Sequence, residues 1–252
     1  QVSIPTTLSA GEFNMGGGNI LDDRAGHKIR VRHPGLYAHL IVLDPEMTVG
    51  TPDWLWLSTG VKALDHCIER LYTTGNQPAI DAPILSAAEM LFSDLARSGE
   101  SHHDLDARLR CLMAAWMSMM GAPNFNTGLS HAIGHVIGVR YAVGHGYTSC
   151  VTQPYVMEYN RPVSAAKQAL LARSAGIDTR SMSDEAAAEA AARAVDDLIL
   201  GMGMPHRLRE LEIPREDLPA IAEEVLHDRP AQTNAIPMTR VEQVMEVLEA
   251  AF

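Results

Sequence analysis

Cysteine is scarce in this 252-residue chain: Cys67, Cys111 and Cys150 stand far apart without CxxC spacing. That leaves no disulfide framework and points to reduced, buried thiols in a cytoplasmic setting. Long apolar runs are also missing. The longest, at 111–122, is interrupted by Ser118 and falls short of the ~20 residues that span a bilayer. No signal peptide is expected from the opening residues. Positive charge is in deficit, with 20 Lys and Arg against 31 Asp and Glu for a formal charge of -11. Such a balance repels phosphate backbones and anionic headgroups, so neither nucleic acid nor membrane is an expected partner. There is no internal repeat, and the Ala-rich stretch 185–194 is a strong helix former rather than a linker. What remains is globular, with 46% hydrophobic residues to fill a core.

The first fifty residues are rich in Gly, Pro and Thr and hold one clear strand, at 38–43, ended by Asp44-Pro45. From Pro52 onward apolar residues recur at spacings of three and four. This predicts helices at 54–72, 79–97, 105–120, 127–141, 147–159, 165–175, 184–202, 215–227 and 239–251, with breaks at Pro205, Pro214 and Pro230. The last helix opens with Thr239 and Glu242 in capping-box spacing. Trp54, Trp56, Trp116 and the methionines of 113–120 read as core or interface.

His131 and His135 stand four apart on one predicted helix, so their imidazoles share a face, and His145 follows at a Gly-flanked turn. His66 lies on an earlier helix with Lys62 at i-4 and Glu69 at i+3. Convergent imidazoles suit zinc, iron and related divalent ions. An HxxxH pair alone, however, is as readily a surface or hydrogen-bonded core pair. The glycines Gly128, Gly134 and Gly138 favour close approach of a neighbouring helix or a ligand.

The surrounding motifs are more specific. The stretch Gly128-Leu-Ser-His131-Ala-Ile-Gly-His135-Val-Ile-Gly138, continuing through His145-Gly146 to Gln153-Pro154 and Asn160, resembles the signature of the iron-containing alcohol dehydrogenases, which include the maleylacetate reductases. Collinear with it, Pro5-Thr6-Thr7 with Gly11-Glu12 resembles the family's Pro-Thr-Thr loop, and Gly26-His27-Lys28 its Gly-x-Lys element. Asp44-Pro45-Glu46-Met47-Thr48 is similar to its Asp-Pro-Glu-Leu-Thr strand end, Thr59 to Glu69 to its first metal helix, and Asn234 to Pro237 to its closing segment.

The resemblance implies a mainly α fold: a dehydroquinate synthase-like helical C-terminal domain at 51–252, preceded at 1–50 by a β-containing remnant of an α/β nucleotide-binding domain. The rest of that N-terminal domain would lie upstream or on another piece. Its Gly-Gly-Gly-Ser phosphate turn is absent, and Gly16-Gly17-Gly18 reads as a loop. The expected partners are a small carbonyl or alcohol substrate, NAD(P) and a second copy in a homodimer. His66, His131 and His145 match the family's three histidine metal ligands, for iron or zinc. His135 matches a histidine facing cofactor and substrate, and Thr6, Thr7 and Lys28 match positions near the nicotinamide or its ribose. The fourth ligand, an aspartate, is replaced by Lys62.

An ammonium offers no lone pair and repels a cation. Either the metal is lost or Lys62 is deprotonated. The expectation is a metal-free site in which Lys62 and His135 are catalytic and the ammonium polarises a carbonyl. Asp65, at i+3 from Lys62, is expected to point elsewhere. Two other classes stay open: a non-catalytic helical scaffold, and a metal-dependent hydrolase or lyase. Ala132 stands where zinc proteases carry their glutamate base, which weighs against the last.

Overall fold

The computed structural model describes residues 1–14, 18–22, 27–31, 33–75, 77–121 and 126–252, without the side chains of 18–22, 27–30 and 34. All described strands precede Leu43. β1 (Val2–Ser3) pairs in parallel with β4 (Leu40–Ile41), and β2 (Gly18–Asp22) forms an antiparallel hairpin with β3 (His27–Val31). The predicted strand at 38–43 is thus trimmed to two residues, and three strands escape the sequence pattern. Gly18 opens β2 rather than sitting in a loop, while Gly16 and Gly17 lie outside the described residues.

Helices follow: α1 (Asp53–Tyr72), α2 (Asp81–Glu100), α3 (Leu105–Ser118), α4 (Leu129–Arg140), α5 (His145–Ser174), α6 (Asp184–Gly201), α7 (Leu218–Leu226), α8 (Arg229–Thr233) and α9 (Val241–Ala251). Their starts are set by local chemistry. Asp104 accepts from the Ala107 amide ahead of α3, and Ser183 from the Ala186 amide ahead of α6. At α9 the reaching side chain is Gln243, which accepts from the Arg240 amide at 3.1 Å, one position after the expected Glu242.

Two predicted helices, 147–159 and 165–175, are one. α5 runs through Pro154 and Pro162, although an internal proline costs ~3 kcal/mol. Two things offset it. α5 packs against α1, α4 and α6, burying Val156, Met157, Ala169 and Leu171. Near Pro162, Gln168 Nε2 donates to the Met157 carbonyl at 2.9 Å and Ser164 to the Asn160 carbonyl at 2.7 Å. Pro230 likewise starts α8 rather than ending a helix.

Two apolar clusters form. One joins α1, α2, α3, α5 and α6; the other joins α4 with α7 and α9. The N-terminal segment is pinned to the first by Arg108, which donates to Thr48 Oγ1 and its carbonyl at 2.6 and 2.7 Å and stacks 4.0 Å over Trp56. Trp56 is fully buried, whereas Trp54 and Trp116 are exposed and not core. Cys67, Cys111 and Cys150 are buried free thiols. Burial pushes Cys67 and Cys111 up to about 12 and raises Cys150 as well. No helix among the described residues is long and apolar enough to cross a membrane.

Candidate active site

On α1 the residues Lys62, Asp65, His66 and Glu69 fall at i, i+3, i+4 and i+7, one face of the helix. All four are buried. α4 and α5 reach that face because glycines stand at the contacts. A methyl group on Gly134 would meet Thr148 Oγ1 at 2.7 Å, and one on Gly146 would meet Ser58 Oγ at 2.5 Å.

The result is a cavity of about 350 Å³ lined by Lys62, His66, His131, His135 and His145, with Ser9, Ser58 and Thr59 as hydroxyls and Trp54, Leu55 and Tyr147 as the apolar wall. Its size is that of a small-molecule pocket. Successive imidazoles are neighbours: ring centres lie 5.2 Å apart for His66 and His131, 6.3 Å for His131 and His135, and 5.8 Å for His135 and His145. Gly144, His145 and Gly146, where α5 begins, stand at the same cavity. The end of a 30-residue helix therefore adds partial positive charge there. Among the described residues no carboxylate lines the cavity.

The carboxylates lie behind it. Lys62 Nζ donates to Asp65 Oδ2 at 2.9 Å, and the same oxygen accepts from Ser149 at 2.6 Å and Ser130 at 3.2 Å. Asp65 therefore turns toward Lys62, contrary to expectation, because i and i+3 share a helix face. Burial alone would raise the Asp65 carboxyl. The Lys62 ammonium, His131 and the Ser149 hydroxyl overcome that and hold it well below the usual range. Glu69 accepts from the Gly128 and Ser130 amides at 2.6 and 2.8 Å, and its Oε2 lies 2.6 Å from His131 Nδ1. Burial and the Asp65 charge push Glu69 up to about 8, opposed by the two amides. Burial lowers both His66 and His131, and Lys62 adds to it, so both imidazoles are neutral near pH 7. His135 Nδ1 lies 2.5 Å from Asp228 Oδ2.

A divalent iron or zinc ion does not fit this donor set. In the cavity wall an ammonium stands beside the imidazoles, and like unit charges 4 Å apart repel by about 4 kcal/mol at an effective dielectric near 20. Lys62 Nζ is engaged with Asp65 Oδ2 at 2.9 Å. Among the described residues, the one set of three whose ligand atoms all lie within 4.8 Å of one another is Asp65, Glu69 and His131. That set is not the expected His66, His131 and His145; Asp65 Oδ2 and both Glu69 oxygens are taken by hydrogen bonds, while Asp65 Oδ1 has no partner. Asp65 and Glu69 are fully buried and absent from the cavity lining.

The other expected residues divide. Thr6 and Thr7 do not line the cavity: the Thr6 carbonyl accepts from Thr51, and the Thr7 hydroxyl donates to Ser9 at 3.2 Å. The loop's contribution is Ser9, two residues on. Lys28 belongs to β3, and its side chain lies outside the described ones. Sequence reasoning missed Asp228, which is 93 residues from His135, and the anchoring of His131 by Glu69. Neither leaves a local spacing signal.

A helical domain with histidines of α1, α4 and α5 around one cavity defines a histidine-site helical class. Residues 56–252 match the Fe-containing alcohol dehydrogenase family, C-terminal, and the chain belongs to that family. It is similar to dehydrogenase ALT3 of Alternaria alternata, 32% identical over 99% of this chain and 70% of that protein. It is similar to lactaldehyde reductase of Escherichia coli (strain K12), 31% identical over 100% of this chain and 65% of that protein. Among solved structures, alcohol dehydrogenase from Oenococcus oeni superimposes with a TM-score of 0.94 at 26% identity, covering 100% of this chain and 65% of that one. Maleylacetate reductase from Agrobacterium tumefaciens shares the fold, with a TM-score of 0.86 at 23% identity. The chain thus spans about two thirds of the length of lactaldehyde reductase and of both structures.

Proposed function

We propose that this chain is the helical, active-site part of an NAD(P)-dependent oxidoreductase that interconverts a small alcohol and its carbonyl compound without a resident metal. The observation that carries it is the cavity where Lys62 and four imidazoles meet. Family membership and similarity to a lactaldehyde reductase support the reaction class.

A nicotinamide cofactor supplies or accepts the hydride. The chain's own residues do the rest. The Lys62 ammonium, held by Asp65 and aimed into a half-apolar cavity, stabilises negative charge growing on the carbonyl oxygen, and the start of α5 adds to that field. His135 moves the proton. Trp54 and Tyr147, whose rings lie 6.0 Å apart, form a wall that limits water. With a volume of about 350 Å³, the cavity has room for a small substrate and the reacting ring of a dinucleotide only. The remainder of the cofactor would rest on a nucleotide-binding part. The parallel pair β1 and β4, with exposed Val2, Leu40 and Val42, is a fitting edge for such a part, since parallel sheets are buried on both faces. Homodimer formation belongs to the same proposal.

The test is oxidation of NADH or NADPH by small aldehydes, hydroxyaldehydes and maleylacetate, in the presence of a strong chelator. Turnover that survives chelation and falls at least a hundredfold in Lys62→Met is the expected result. No turnover with any of these carbonyls, with the nucleotide-binding part supplied, contradicts the reading.

A further inference from the structure

Asp228 occupies the N-cap position of α8, where an aspartate ordinarily turns back and accepts from the first-turn amides. It makes no such bond. Its carboxylate instead crosses to α4, where Oδ2 lies 2.5 Å from Nδ1 of His135. A cap bond is given up for a contact 93 residues away in sequence, and the histidine so held lines the cavity between His131 and His145.

We propose that Asp228 is a positioning residue: it accepts the Nδ1–H of His135, fixing the tautomer whose Nε2 lone pair is turned to the cavity. A carboxylate accepts only, so the shared proton resides on Nδ1 and the opposite ring nitrogen is left as the acceptor. A second, buried contact between a carboxyl group and an imidazole stands one turn away, where Glu69 Oε2 lies 2.6 Å from Nδ1 of His131. What His135 then does rests on the function proposed above. As the substrate C–H pair leaves as hydride for the nicotinamide, the hydroxyl O–H breaks, its proton goes to Nε2 and the C=O bond forms. In the reducing direction Nε2–H returns that proton to the alkoxide oxygen. The side chains of His135 and Asp228 are 39% and 27% exposed, so solvent can reload the pair.

The experiment is NMR of the histidine ring nitrogens in the full ¹⁵N-histidine-labelled chain, with His135→Gln to assign the signal. It compares wild type with Asp228→Ala, Asp228→Asn and, as a control on the same surface, the exposed Glu224→Gln. The expected wild-type state is protonated Nδ1 and bare Nε2. Asp228→Ala moves His135 toward the Nε2–H form while His131 stays as it is. Asp228→Asn, whose amide oxygen still accepts Nδ1–H, keeps much of the native tautomer. In turnover assays Asp228→Ala lowers kcat by about tenfold to a hundredfold with KM within about twofold, Asp228→Asn recovers part of it, and Glu224→Gln matches wild type. A wild-type His135 protonated on Nε2, or a tautomer unchanged in Asp228→Ala, overturns the proposal. A native tautomer in a protein that turns over no carbonyl supports Asp228's role and counts instead against the proposed function.

Discussion

His131 and His135 sit one turn apart on α4, and each presents Nδ1 to a carboxylate, Glu69 at 2.6 Å and Asp228 at 2.5 Å. The settings differ. Glu69 is fully buried and also accepts two backbone amides, so it holds the start of α4 against α1 as much as it holds an imidazole. Asp228 is partly exposed at a helix start and touches the histidine without capping its own helix. On the proposal above, the same chemical pairing serves architecture in one place and reactivity in the other. Burial decides which, because a group stripped of water must be satisfied or the fold fails.

The largest effect should therefore come from the inner pair. Glu69→Ala strands two amides and His131 Nδ1 in the interior and is expected to cost about 3–5 kcal/mol in urea unfolding, enough to lower Tm by on the order of 10 °C. Lys62→Met comes next. It leaves Asp65 charged and fully buried with only hydroxyls and His131 around it, and should cost about 3 kcal/mol. The double variant Lys62→Met with Asp65→Ser should regain most of that stability without regaining activity, a cycle that separates the cost of burying the pair from its use. Additive losses would mean that the two residues do not act as a pair. Smallest is the outer pair: Asp228→Ala is expected to change stability by less than about 1 kcal/mol. A loss as large as that of Glu69→Ala would erase the distinction between the two carboxylates.

Much of this was legible in the residues. The spacing of three and four located α1 and α4, and the family resemblance placed His66, His131, His135 and His145 together with Lys62 in the position of an aspartate. The direction of Asp65 was misread although i and i+3 stacking could have given it. Other features left no local trace. The hairpin of β2 and β3 is too short for its alternation to stand out. α5 continues through Pro162 because burial on α1, α4 and α6 outweighs local propensity. Thr6 and Thr7 matched a motif, and from their loop it is Ser9 that lines the cavity. Asp228 became visible only once α8 was seen to bring it against α4.

We propose the Lys62 ammonium, not a metal ion, as the source of the cavity's positive charge. This is tested most directly by calorimetric titration of the purified, chelator-treated chain with Fe²⁺ under anaerobic conditions and with Zn²⁺, followed by elemental analysis of the dialysed protein. No stoichiometric binding of either ion to the wild type is expected. One tightly held ion per chain, lost when His66 and His131 are replaced by alanine, would contradict it.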